Sequence, residues 1–347
     1  MKNMMLAANK LRDHNRDRRS MADAFAHGGL GKSSHAKDSE DTDPKAAFNS
    51  PFKHDNAHVT FKVRDAKSGK PVKATIYVGK YQARVTPYAS TFHAKHHPGA
   101  RKTMVKGHYS FLVQAPGYGE RRFAASFKPR NRYTETFRVD RNFASKHRGA
   151  KISGPGVRLT DLIDDNENTD AGYDGSATMS PIKGKAWTVN LGGGKHRIAS
   201  VRVSAEHRPV NANDAKDFQN RFTDLRSFKI QVSSNGGKTY RTVKSSGKRF
   251  FPGKLPRPVA PNVILRGLSF KPVKADHVRL VIETNQCTGF HGYRDRDTDP
   301  VNDGNCLHTT DGFQVTAAEL QVFGPDHKAP VVRKVHAPRK HHHKRKH

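Results

Sequence analysis

ISGPGVRLTDLIDDNENTD (152–170) opens, and QVTAAELQVFG (314–324) closes, the stretch whose reading decides the fold. Between them lie AWTVNL (186–191), IASVRVSAEH (198–207), SFKIQVSS (227–234), TYRTVK (239–244), VILRGLSF (263–270), DHVRLVIET (276–284) and AELQVFG (318–324). In each, apolar residues stand two apart and Gly, Pro, Asn or Asp ends the run. A period of two sends alternate side chains to opposite faces of an extended chain, so these segments predict half-buried antiparallel strands. Many short strands without helical spacing between them predict a β-sandwich or jelly roll over 152–324.

The same alternation recurs upstream. HVTFKVRD (58–65) and VKATIYVG (72–79) flank the turn AKSGKP, and GHYSFLVQAPGYGERRFAASF (107–127) and RYTETFRVD (132–140) continue the pattern. Six or seven strands are predicted over 58–140, with Gly69, Gly107, Gly117 and Gly119 at tight turns. The chain is therefore all-β, two sandwich domains in series. Residues 31–57 mix Ser, Asp, Lys and Pro without periodicity and read as a linker, and 141–151 read as a second one. Residues 2–13 and 17–27 have helical spacing, with Gly28 and Gly29 as a stop. The tail 325–347, basic and His-rich with spaced prolines, is predicted to be disordered.

Over 347 residues, 63 Lys and Arg face 31 Asp and Glu, a formal charge of +32. Such an excess favours acidic partners: anionic polysaccharide, a cell wall or phospholipid surface, or nucleic acid. No zinc-finger, RNP or recognition-helix pattern supports specific nucleic-acid reading. No run of 18 apolar residues is long enough to span a membrane.

The only cysteines, Cys287 and Cys306, stand at the two ends of one irregular loop. They read either as a disulfide, and so an oxidising compartment, or as two free thiols. The start, MKNMMLAANKLRDH, is too short and polar in its apolar part for a signal peptide. A disulfide without a signal implies the back half of a longer secreted chain.

Several motifs resemble known families. SGKPV (68–72) and APGY (115–118) resemble the turns of carboxypeptidase-regulatory-like, transthyretin-type sandwiches, which implies a spacer or adhesion module over 58–140. LIDDNENTD (162–170), with DHVRLVIET and AAELQVFG, resembles the opening turn and last strands of galactose-binding-like, discoidin-type jelly rolls. Two positions depart from that pattern: Asp165 stands where Gly is usual and Ala171 where Trp is usual. NQCTG (285–289), RFTDLRSF (221–228) and AAELQVFG are similar to the C-terminal region of secreted fungalysin-like zinc metallopeptidases. AANKLRDHNRDRRSMADAFAHGGLG resembles the last helices of that catalytic domain, which makes residues 1–30 a helical remnant.

The discoidin-type resemblance implies a structural Ca²⁺ held between the acidic turn and a Glu on the last strand. The matching positions are Asp164, Asn166 and Thr169, with Glu319. The alternative is a capped turn and a solvated Glu. RDRDTDPVND (294–303) spaces three aspartates two apart but lacks the Gly and distal Glu of an EF-hand. His93, His96, His97 and the tail histidines fix no metal geometry. Trp187, Arg208 and Arg221 could line a ligand surface, or serve as core and ion pairs. No HExxH, GxSxG or P-loop motif occurs, so zinc would belong to a catalytic domain absent from this chain.

The expectation is a non-catalytic tethering region for glycan or anionic surfaces, with its own upstream peptidase domain as a possible partner. The alternatives are part of an active zinc metalloendopeptidase whose catalytic half lies elsewhere, or an electrostatic binder of nucleic acid or cell wall.

Overall fold

The computed structural model describes residues 56–80, 90–94, 100–166, 169–205, 221–255, 258, 265–293, 306, 311–325 and 332–336. The helical spacing of 2–13 and 17–27 and residues 31–55 of the linker predicted over 31–57 lie outside them, whereas Asn56 and Ala57 are not linker but open the first strand, with Ala57 buried in its core. Regular structure in the described residues is β-strand, apart from short 3₁₀ turns and one four-residue helix, α1 (Gln286–Gly289). No helix there is long and apolar enough to cross a membrane.

Two apolar cores organise the strands. The first is built by β1 (Asn56–Asp65), β2 (Ala74–Lys80), β3 (Ser90–Ala94), β4 (Ala100–Val105), β5 (Gly107–Gln114), β6 (Arg121–Phe127) and β7 (Arg132–Val139). Strict alternation in β7 turns Tyr133 and Phe137 inward, where they join Phe61, Phe111 and Phe127. The rings pack at centroid separations such as 5.3 Å (Phe61–Phe111) and 5.1 Å (Phe127–Tyr133), favourable for aromatic pairs. One sheet runs β3-β2-β5-β6; the other places β1 between β4 and β7, antiparallel to the first and parallel to the second.

The second core belongs to β8 (Lys151–Ser153), β9 (Ala171–Asp174), β10 (Ala186–Asn190), β11 (His196–Ser204), β12 (Leu225–Ser233), β13 (Arg241–Ser245), β14 (Arg266–Ala275), β15 (His277–Asn285), β16 (Gln314–Ala317) and β17 (Glu319–Phe323). A five-stranded sheet, β13-β12-β15-β10-β8, shares its core with a three-stranded sheet, β14-β11-β17, and β16 pairs with β9. This is the jelly roll that the alternating segments predict. Phe228, Ile230 and Val232 of β12 and Val278, Leu280 and Ile282 of β15 fill it from one side. Ile198, Val201 and Val203 of β11 and Leu320 and Val322 of β17 fill it from the other.

The terminal segment departs from its composition. Val332–His336, within the stretch predicted to be disordered, form β18, antiparallel to the outer edge of β7. An edge strand offers unpaired N–H and C=O groups, and any extended segment within reach can satisfy them whatever its charge. The rest of the tail lies outside the described residues.

Residues 141–151 also depart from the expected linker. Asn142, Ala144, Ser145 and Ala150 are buried. The Phe143 amide donates to Val322 O (2.9 Å), and Gly119 lies so close to Phe323 that a Cβ would meet its ring at 2.4 Å. Both cores belong to one compact unit, Pro44–His347.

Candidate functional site

The acidic turn follows a short 3₁₀ segment, Leu159–Ile163, anchored by the buried Leu162 and Ile163. With those two fixed in the core, the next residues are carried to the start of β17. Asp164 Oδ1 accepts from the Asn166 amide (2.9 Å), and the same amide reaches Glu319 Oε2 at 3.2 Å. Thr169 Oγ1 lies 3.1 Å from Asp164 Oδ2 and 2.8 Å from Asn166 O. The four residues singled out in the sequence thus meet in space, although Glu319 comes 153 positions after Asn166.

Two acidic side chains meet there. Glu319 is fully buried. Burial pushes the Asp164 carboxyl up to about 6, against the opposing pull of Lys146 and of hydrogen bonds from Thr169 and the Asn166 amide. Lys146 Nζ stands 3.6 Å from Asp164 Oδ2. The donors are all oxygen: two carboxylates, an amide and a hydroxyl on one turn and one strand. Hard divalent cations such as Ca²⁺ take such ligands, completed by backbone carbonyls and water, so the residues present fit that group. Among the described residues no group of three or more His, Cys, Asp or Glu is placed to hold a metal ion.

Asp165 sits in the left-handed region, φ 61°. That conformation explains why glycine is the usual residue at this point and why only a short polar side chain replaces it cheaply. Here the carboxylate is held by groups from outside the jelly roll. The Gly117 amide (2.7 Å), Ser145 Oγ (2.5 Å) and His147 Nδ1 (3.1 Å) contact Oδ2, and Asn142 Nδ2 donates to Oδ1 (2.9 Å). Gln114 Nε2 donates to Asp165 O (2.7 Å) and Asn166 Oδ1 (3.2 Å). Nothing but the departure from glycine marks this hub in the sequence.

The other candidates divide. Cys287 and Cys306 form a disulfide. Cys287 packs with Phe222 and Tyr293, and Arg226 lies over the Phe290 ring at 5.1 Å with Nη1 donating to Gln286 Oε1. Trp187 does not line a ligand surface: it is fully buried in the jelly-roll core and its indole N–H donates to Pro155 O (3.0 Å). Its neighbours in β10 alternate around it, which makes it a core position. Arg208, the side chain of Arg221 and the whole acidic segment 294–303 lie outside the described residues. So do His96, His97 and the histidines at 341–343 and 347, while His93 lies on β3. Ala171, where the discoidin-type pattern has Trp, is buried at the start of β9 opposite Ala317.

No protein-family model and no curated protein matches the chain. Among solved structures, a Clostridium perfringens module, CpGH89CBM32-5 in complex with GalNAc-β-1,3-galactose, is 18% identical. That match covers 51% of this chain and 97% of the module, at a TM-score of 0.33. The family 32 CBM of C. perfringens NanJ, in complex with galactose, is 16% identical over 50% of this chain and 91% of its own, TM-score 0.30. A chitosan-binding module from a Paenibacillus sp. IK-5 chitosanase/glucanase, in complex with chitotriose, is 18% identical over 53% of this chain and 100% of its own, TM-score 0.30.

Proposed function

We propose that the chain is a non-catalytic binding region that tethers to anionic glycan surfaces. One observation carries this reading: charge is sorted by depth. Among the described residues Asp65, Glu120, Glu135, Asp140, Asp165, Asp224, Asp276 and Glu319 are buried, against a single basic residue, Arg226. Among the described residues the charge on the outside is therefore more basic than their composition alone suggests. Such a surface attracts polyanions at long range.

In its fuller form the proposal makes this the C-terminal accessory region of a secreted fungalysin-like zinc metallopeptidase. The order of RFTDLRSF, NQCTG and AAELQVFG supports it, as does a disulfide, which suits an oxidising compartment. Zinc chemistry would then belong to a catalytic domain encoded upstream, and an HExxH motif in that upstream DNA would be its mark. Ca²⁺ at Asp164, Asn166, Thr169 and Glu319 would have a structural part, holding the opening turn to the last strand.

Binding of the purified chain to alginate, chondroitin sulfate, neutral chitin fragments and duplex DNA over a salt series tests the tether. The expected result is retention on the acidic glycans with a sugar-dependent part that survives physiological salt. Equal retention on DNA that vanishes between about 50 and 200 mM salt would point to an electrostatic binder without sugar recognition. No retention on any acidic polymer would contradict the reading outright.

A further inference from the structure

We infer that the first sandwich is the outer support of the cation site on the acidic turn, so that cation binding and the docking of the two β modules are one coupled event. This rests on reading the turn as a Ca²⁺ site and adds where its ligands get their positions.

Asp164 and Asn166 flank Asp165 directly, and Asp165 is gripped from outside the jelly roll. Gln114, the last residue of β5 in the first sandwich, donates to both the Asp165 carbonyl and the Asn166 side-chain oxygen. The Gly117 amide, from the turn that follows β5, donates to the Asp165 carboxylate. The orientation of one proposed ligand oxygen is therefore set by a residue of the other module.

Asn142 ties in the opposite end of the site. Its Nδ2 donates to Asp165, and its Oδ1 accepts from the Val322 amide (2.9 Å) on β17, three residues beyond Glu319. A single fully buried side chain thus spans from the turn to the strand that carries the closing carboxylate. Lys146, on the same segment, brings its ammonium to Asp164. Groups that fix the direction of ligands in this way govern metal affinity nearly as strongly as the ligands. Linkage makes the effect reciprocal: whatever the module contact adds to cation affinity, the cation adds to the module contact.

The test uses the full chain, Ca²⁺ alone as titrant, and calorimetric binding with amide exchange at Gly117 and Val322 as a second readout. Asp165→Gly deletes the carboxylate while glycine keeps φ 61° without strain, and Gln114→Ala removes the orienting amide; far-UV circular dichroism checks that each folds. The expected result is Ca²⁺ binding weakened about tenfold or more in both variants. In the unmodified chain, Ca²⁺ should slow exchange at both amides. If the unmodified chain binds Ca²⁺, Glu319→Ala abolishes binding, and yet Asp165→Gly and Gln114→Ala bind as tightly as before, the coupling is wrong and the turn reading stands. If the unmodified chain binds no Ca²⁺, or Glu319→Ala changes nothing, the turn reading fails and the coupling with it.

Discussion

Asp65 shows how single carboxylates are held in this chain. It ends β1 and accepts from the amides of Lys67 (2.9 Å) and Ser68 (2.7 Å), from Arg141 Nε (2.8 Å) and from the Tyr118 hydroxyl (3.1 Å). Burial works to raise its pKa, but the Ser68 amide and the Arg141 guanidinium outweigh it and take the carboxyl down to about 2, from 3.8. A depressed folded pKa means the unfolded chain binds the proton more readily. The stability Asp65 contributes is therefore present above about pH 4 and is lost as pH falls toward 2. In urea titrations, Asp65→Asn should be less stable than the parent at pH 6, with the gap closing by pH 2. A gap that stayed constant across that range would count against this account.

The residue scale also shows what was legible. That Asp164, Asn166 and Thr169 meet Glu319 could be anticipated from the sequence because LIDDNENTD and AAELQVFG resemble a recurrent turn and closing strand. The hub at Asp165 could not, because its partners Gln114, Gly117, Asn142, Ser145 and His147 approach from segments with no shared pattern. Trp187 was ambiguous for a simpler reason: a buried aromatic and a sugar-stacking one look alike until the strand's inward face is known.

At the scale of elements, the alternating segments located the main strands, and their irregularities have local causes. In β11 the inward residues Ile198, Val201 and Val203 are spaced three and then two. Between Ile198 and Ser200 the register with β14 shifts from Val273 to Ser269, so the extra residues of the irregularity lie on β14, as in a β-bulge. Strand β14 runs to Ala275, past Pro272, which the sequence suggests as a stop. Proline lacks a donor and is tolerated there because β14 is the edge of its sheet. β8, β9 and β16 are three or four residues long, too short to show a period.

The Cys287–Cys306 link closes a loop with a sequence separation of 19. In the loop-entropy model that constraint is worth about 3 kcal/mol. Reduction, or Cys287→Ser with Cys306→Ser, should lower the urea midpoint accordingly while the far-UV spectrum stays that of strands. An unchanged midpoint would show that α1 and the Phe222–Phe290–Tyr293 cluster hold the loop without the bond.

For the molecule as a whole, the sequence separates two β bodies with a linker between them, whereas residues 141–151 are packed into the contact. The reason is visible in Asn142: it satisfies the Ala144 amide, the Val322 amide and Asp165 together, so the segment is buried with its polar groups paired. Short polar stretches look alike whether they stretch through solvent or fill an interface. Gly119 against Phe323 and Arg202, which donates to Glu120 O and lies over the Phe323 ring at 5.2 Å, extend the same contact.

The central claim, one body made of two sandwiches and clasped at the acidic turn, is tested most directly by scanning calorimetry of the chain with Ca²⁺ and with EDTA. The account predicts that both β modules unfold in one cooperative transition that moves up with Ca²⁺ and down with EDTA, and that Glu319→Ala loses the Ca²⁺ shift. Two separate transitions, neither of them sensitive to chelation, would contradict it.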